Sequence, residues 1–166
     1  SQPLADFQQV NEEVEVRKDP LTERTARIVD GAFVAADEYD IEEVVADNEG
    51  CFFCPDMVQD ATPTYPGWMD NERGSRGEAT AFPNLNPYGS YSNVVALTEA
   101  HFQPMEEFTV EQFADGLGAA FEYVRAVRRH DSEMTHASVN MNFLRSAGSS
   151  LVHPHMQTLV DDTGTN

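Results

Sequence analysis

Apolar and polar residues alternate along this chain with several different periods, and each period predicts an element. The clearest is helical. Phe113, Leu117, Phe121 and Val124 recur at helical spacing and predict a helix over 110–129 with one buried stripe. Thr109 with Gln112 has the form of a capping box, and Arg125, Arg128 and Arg129 near the far end complement the helix dipole. The pattern is that of a packing helix, and it is assigned no chemistry. Extended segments are expected at 26–34, 79–85, 93–98, 136–144 and 151–160. Asn86-Pro87-Tyr88-Gly89-Ser90 reads as a hairpin connection, and Ser146-Ala147-Gly148-Ser149-Ser150 as a small-residue turn. Residues 35–50 hold seven acidic side chains and are expected as a solvated loop or short helix. Residues 56–78, rich in Gly, Pro, Asp and Asn, are expected as one long loop. Residues 1–25 are polar and expected to be extended or irregular, with a turn at Asp19-Pro20-Leu21-Thr22.

These elements predict an α+β domain, a mostly antiparallel sheet of about five or six strands packed against one long helix. The organisation expected is a polar extension over 1–18, one domain over 19–160 and a loose tail over 161–166. No apolar run approaches the roughly 20 residues that cross a bilayer. The N-terminus lacks the basic and apolar segments of a signal peptide, so a cytoplasmic location is the expectation.

Charge changes the picture more than composition does. Asp and Glu number 29 against ten basic residues, a formal charge of −19. Lys18 is the single lysine. Such a surface repels nucleic-acid backbones and anionic membranes, which excludes both as partners. An acidic, lysine-poor surface resembles the cytoplasmic proteins of salt-accumulating halophiles, whose self-repulsion concentrated salt screens.

Candidate chemistry lies in two segments. Cys51 and Cys54 have C-x-x-C spacing, which in a reducing compartment suggests a metal site or a redox pair before a disulfide. A tetrahedral site needs two more donors. His101 and His153 lie at strand ends, where the backbone can hold a ligand. His130 reads as a dipole-complementing surface group, and His136 has no obvious partner. Alone, the spacing leaves two buried free thiols as the bland alternative. The second segment is His153-Pro154-His155-Met156-Gln157. In an extended chain residues two apart share a face, so His153, His155 and Gln157 line up. Gly148-Ser149-Ser150 just upstream offers N–H groups and hydroxyls for phosphate oxygens. A phosphate cradle beside a neutral imidazole points to nucleophilic attack on phosphorus. Glutamine at the third place donates hydrogen bonds but cannot act as a general acid, which favours transfer over hydrolysis.

The segment from Gly148 through Gln157 resembles the signature of galactose-1-phosphate uridylyltransferases, within the wider histidine-triad superfamily. Asp19-Pro20-Leu21-Thr22, Cys51-Phe52-Phe53-Cys54-Pro55 and Phe82-Pro83-Asn84-Leu85-Asn86-Pro87-Tyr88 are similar to further segments of that family, in the same order. The resemblance implies a histidine-triad-like fold. It implies that His155 carries the nucleotidyl group and Gln157 holds that intermediate. Asn142, Gly148, Ser149 and Ser150 would meet phosphate, and Phe82 and Asn84 the nucleoside. Cys51, Cys54, His101 and His153 would bind a structural zinc. The substrates implied are a nucleotide sugar and a sugar phosphate, with UMP passing between UDP-hexose and hexose-1-phosphate. The family's members have two related halves, so a homodimer or association with a second related half is expected. The basic pair that the family often carries after its first strand is absent from Val29-Asp30-Gly31-Ala32-Phe33. An adenine-nucleotide relative, either a phosphorylase or an adenylyltransferase, and a non-catalytic zinc-stabilised binding domain are the alternatives.

Overall fold

A computed structural model of the chain describes residues 13–29, 41–46 and 50–164. Strands β1 (Val14–Lys18) and β2 (Thr25–Val29) come first, followed by the short helices α1 (Ile41–Ala46) and α2 (Val58–Ala61). Strands β3 (Gly74–Arg76), β4 (Ala79–Pro83) and β5 (Tyr91–Ala96) precede the long helix α3 (Val110–His130), and β6 (His136–Asn140) and β7 (His155–Asp161) close the chain. Strands β3 to β7 form one antiparallel sheet in the order β3-β4-β5-β7-β6. The expected α+β architecture, a mostly antiparallel sheet against one helix, is what is found.

Helix α3 begins on the capping box expected. The Thr109 hydroxyl accepts from the Gln112 N–H at 3.1 Å, and the Gln112 side chain accepts from the Thr109 N–H at 3.0 Å. Three of the four expected stripe residues face the core: Val124 is buried, and Phe113 and Leu117 pack against the sheet cluster; Phe121 departs. Gly116, Ala119, Ala120, Tyr123, Val124 and Val127 are buried, whereas Phe121 is 47% exposed. The contact surface mixes those large residues with small ones. Ala119 and Ala120 pack on Ala79, Ala81, Val95, Leu97 and Met156. Small residues let helix and sheet approach closely, and a β-carbon at Gly116 would collide with the Leu97 side chain. Val127→Ala is therefore expected to cost about 2 kcal/mol, while Phe121→Ala stays within about 0.5 kcal/mol of the parent. Urea titrations followed by circular dichroism measure both.

Further expectations are sharpened or corrected. Within the stretch expected to be extended or irregular, Val14–Lys18 is a strand paired with β2, in the register Val14↔Val29. Residues 15–18 are all exposed, so no alternation marked them. The Asp19 carboxylate closes this hairpin by accepting from the Leu21 N–H at 2.8 Å and the Thr22 hydroxyl at 2.9 Å. The strand expected over 26–34 is Thr25–Val29, its remainder lying outside the described residues. Residues 56–78 are not one loop, since they contain α2 and β3, elements too short to show a period. The tail is not loose at its start. Asp161 is the last residue of β7, and its buried carboxylate pairs with Arg27 of β2 at 2.9 Å. Among the described residues no helix is long and apolar enough to cross a membrane.

The face of the sheet away from α3 carries Phe82, Val94 and Ala96, packed with Val58 and Phe53. β5 is thus buried on both sides over 93–96. This second face positions the site.

Candidate active site and metal centre

Cys51 and Cys54 sit on a tight knuckle. The Cys54 N–H bonds to the Cys51 carbonyl at 3.2 Å, and the Cys54 carbonyl accepts from Met57 and Val58, which opens α2. Across from the knuckle, the end of β5 and the approach to β7 are joined by a bond from the Leu97 N–H to the Pro154 carbonyl at 2.9 Å. Pro154 has no N–H to give, and β7 pairs regularly only from His155, opposite Ala96. His153 therefore precedes the strand instead of beginning it. His155 and Gln157 alternate within β7, and the rings of His153 and His155 both lie against Phe53, with centroids 6.0 Å and 5.1 Å away.

His153 meets the thiols from this position. Its Nδ1 lies 3.7 Å from Cys51 Sγ and 3.7 Å from Cys54 Sγ, and His101 Nδ1 lies 3.5 Å from Cys54 Sγ. The four donor atoms all fall within 4.8 Å of one another. Zinc bound tetrahedrally, with bonds of about 2.3 Å to sulfur and 2.0–2.1 Å to nitrogen, places sulfur and nitrogen ligands about 3.6 Å apart. The donor set and its spacing fit such an ion. The second coordination layer fits too: His153 Nε2 donates to the Thr98 carbonyl at 2.8 Å, leaving Nδ1 as the lone-pair nitrogen facing the sulfurs. Burial, against the opposing effect of that bond, pushes the His153 imidazole down to about 4, so it is neutral and free to ligate. Burial, then the neighbouring Cys51, pushes the Cys54 thiol up to about 12. A divalent cation reverses that balance, because it coordinates the thiolate. His101 Nε2 is buried with no partner among the described residues.

Two residues beyond His153 the geometry inverts. The Nδ1–H of His155 donates to the His153 carbonyl at 2.8 Å, which leaves Nε2 as the nitrogen with a lone pair. Burial lowers the pKa of this ring, against the opposing bond to His153. His155 shares its face of the sheet with Ala96 and, two residues on, Gln157 with Val94 and Asn140. Phe53 lies edge-on to the His155 ring, with centroids 5.1 Å apart, and 5.1 Å from Phe82. Phe53 is a residue that reading the sequence missed. Its signal was present: an aromatic side chain between two cysteines that share a site with His153 cannot be far from His155.

The remaining candidates separate. Phe82 is buried against Phe53. Asn84 is half-buried and shapes the β4–β5 turn, its carbonyl oxygen accepting from the Asn86 N–H at 3.0 Å. Gly148 adopts φ +85°, the left-handed region that favours glycine, and a β-carbon there would stand 3.9 Å from Asn142 Nδ2. The structure thus brings Asn142 and the glycine turn together. Ser149 is buried, and its hydroxyl donates to the Leu151 carbonyl at 2.7 Å. Its single O–H is engaged in holding the turn, whereas Ser150 is exposed.

No family model matches the chain. An uncharacterized protein of Archaeoglobus fulgidus is 37% identical over 153 residues, covering 92% of this chain and 46% of that protein. Among solved structures, an ADP-glucose phosphorylase of Arabidopsis thaliana with bound ADP-glucose is similar at a TM-score of 0.56 and 21% identity, over 91% of this chain and 49% of that one. A uridylyltransferase is similar at 0.54 and 20% identity, over 89% and 46%. A zinc-bound histidine-triad family protein of Mycobacterium smegmatis is similar at 0.52 and 17% identity, over 68% and 75%. The chain has the histidine-triad fold, and it spans about half the length of the first relatives it matches.

Proposed function

We propose that the chain carries a nucleotidyl-transfer site in which His155 is the nucleophile. The observation that supports this most directly is the bond from His155 Nδ1 to the His153 carbonyl, which directs the lone pair of Nε2 away from the backbone. In the reaction proposed, Nε2 attacks the α-phosphorus of UDP-hexose. An N–P bond forms, the bond from that phosphorus to the bridging oxygen breaks, and hexose-1-phosphate leaves with the electron pair. A phosphate oxygen of a second hexose-1-phosphate then attacks the same phosphorus, the N–P bond breaks, and the imidazole is restored. Gln157, Asn142, Gly148 and Ser150 are the proposed phosphate contacts, with Ser149 holding the turn from within. Phe82, Asn84 and Phe53 are the proposed nucleoside contacts.

Cys51, Cys54, His101 and His153 would hold zinc, whose contribution when bound is structural: it ties the knuckle to the segment before β7. His153 is then both a ligand and the residue whose carbonyl orients His155. Since the relatives are about twice as long, sugar choice is proposed to depend on a second related half, supplied by a homodimer or by a second segment.

An adenine nucleotide is the second reading, favoured by the likeness to the ADP-glucose phosphorylase fold. Thermal shifts decide between them. UDP-glucose, at about 100 times its dissociation constant, is expected to stabilise the zinc-loaded protein by about 2.7 kcal/mol, more than ADP-glucose does. A larger shift with ADP-glucose moves the assignment to the adenine nucleotide. No shift with either supports the non-catalytic, zinc-stabilised reading.

The working medium proposed is the salt-rich cytoplasm of a halophile, on the strength of the −19 charge. Secondary structure is expected to be lost on dialysis from about 2 M KCl to about 0.05 M, where the Debye length exceeds 10 Å. A circular dichroism spectrum that is unchanged in low salt removes this reading.

A further inference from the structure

The face of the sheet that α3 covers carries a second concavity. An open cleft of about 620 Å3 lies between residues 65–74 and the second half of α3. That volume suits a small-molecule ligand. It is no extension of the site above. Met156 packs against α3, so His155, its neighbour in the strand, faces the other way.

The cleft reverses the sign of its surroundings. Arg73, Arg125 and Arg129 line it, against Asp70 and Glu122, in a chain whose net charge is −19. Glu122 already pairs with Arg76 at 3.1 Å, and Arg73 is committed to Thr62 and Gln59. Arg125 and Arg129 stand one helical turn apart, on one side of α3. Among the described residues neither joins an ion pair. With 29 Asp and Glu side chains in the chain, and Asp70 in the same cleft, two adjacent guanidiniums with no carboxylate at ion-pair distance among the described residues are out of keeping with the chain's acidity. Offsetting the helix dipole accounts for cations near the end of α3, but not for the concavity or its wall. Trp68, the chain's one tryptophan, lies flat on the His130 ring, with centroids 4.2 Å apart and planes at 5°.

We infer that this cleft binds a small phosphate-bearing anion, held by Arg125 and Arg129 against the Trp68–His130 stack. Two guanidinium forks suit the tetrahedral oxygens of a phosphate better than a single carboxylate. The C-terminal end of a helix repels anions, so a multiply charged ligand gripped by both forks is the class that remains.

Trp68 makes the test direct. Zinc-loaded protein is titrated with inorganic phosphate, pyrophosphate and ATP, at an ionic strength fixed with KCl. Tryptophan emission is recorded, and calorimetry is run on the same samples in case the emission is insensitive. Saturable binding of at least one probe is expected, with no response to KCl alone. The double variant Arg125→Gln/Arg129→Gln, both sites being exposed, is expected to keep its fold and bind about tenfold more weakly or worse. Binding of pyrophosphate as well as ATP assigns recognition to the phosphates; binding of ATP alone assigns part of it to the aromatic wall. Absence of saturable binding by both methods, or equal binding by the double variant, overturns the inference.

Discussion

His155→Gly is expected to leave a zinc-loaded, folded protein that takes no label from UDP-glucose carrying radioactive phosphorus at the α position. Transfer should fall by about 10⁴-fold or more, the scale seen when a nucleophile is removed. The variant separates chemistry from architecture because His155 is two residues from a proposed ligand yet is not itself one of the four donors. The cavity left behind is lined by Phe53 and lies beside the His153 carbonyl. Free imidazole added to the variant is therefore expected to restore part of the turnover without restoring protein-bound label. Full activity in His155→Gly, or label that survives it, removes His155 as the nucleophile. If the parent takes label from ADP-glucose and not from UDP-glucose, the nucleophile stands and the base is corrected.

The other large effect concerns the metal. Cys54→Ala, or exhaustive chelation of the parent, is expected to lower the melting temperature by about 10 °C or more. The basis is a loss of several kcal/mol in a domain where each kcal/mol moves the midpoint by about 2–4 °C. The four donors come from three separate stretches of chain, and the proposed ion joins them. Returning zinc to the stripped parent should release protons into weakly buffered solution near neutral pH. Burial and Cys51 hold the Cys54 thiol up at about 12, so binding must displace its proton. Metal analysis should return about one ion per chain for the parent and far less for the variant. Unchanged melting after verified metal removal, with no proton release on its return, would leave the quartet as packed thiols and imidazoles. Zinc loss is also expected to reduce transfer, because the segment before β7 that supplies the His153 carbonyl would no longer be fixed.

What could be read from the chain varied with the kind of signal. Helix α3 was legible to within a residue because its cap and its charges are local. Its buried side was legible in part: Phe113, Leu117 and Val124 face the core as apolar spacing indicates, whereas Phe121 does not, and Gly116, Ala119 and Ala120 were selected by close approach to the sheet. β1 was not set apart from the rest of 1–25 because the exposure of residues 15–18 leaves no alternation to read. β3, with three residues, is defined only by its pairing to β4.

The candidate site divides the same way. Spacing alone determined that Cys51 and Cys54 share a knuckle and that His155 and Gln157 share a strand face, because both follow from backbone geometry over a few residues. Strand-end position nominated His101 and His153, and family resemblance implied the same pair. Tertiary structure decided that these side chains meet, through the pairing of β5 with β7 and the bond from Leu97 to Pro154. It also decided that His153 faces the thiols, that Phe53 covers His155 and that Ser149 turns inward. Those outcomes depend on contacts between residues some 50 to 100 positions apart, such as Cys54 with His101 and Cys51 with His153. A local period carries no information about such contacts; only the packing of the two sheet faces sets them.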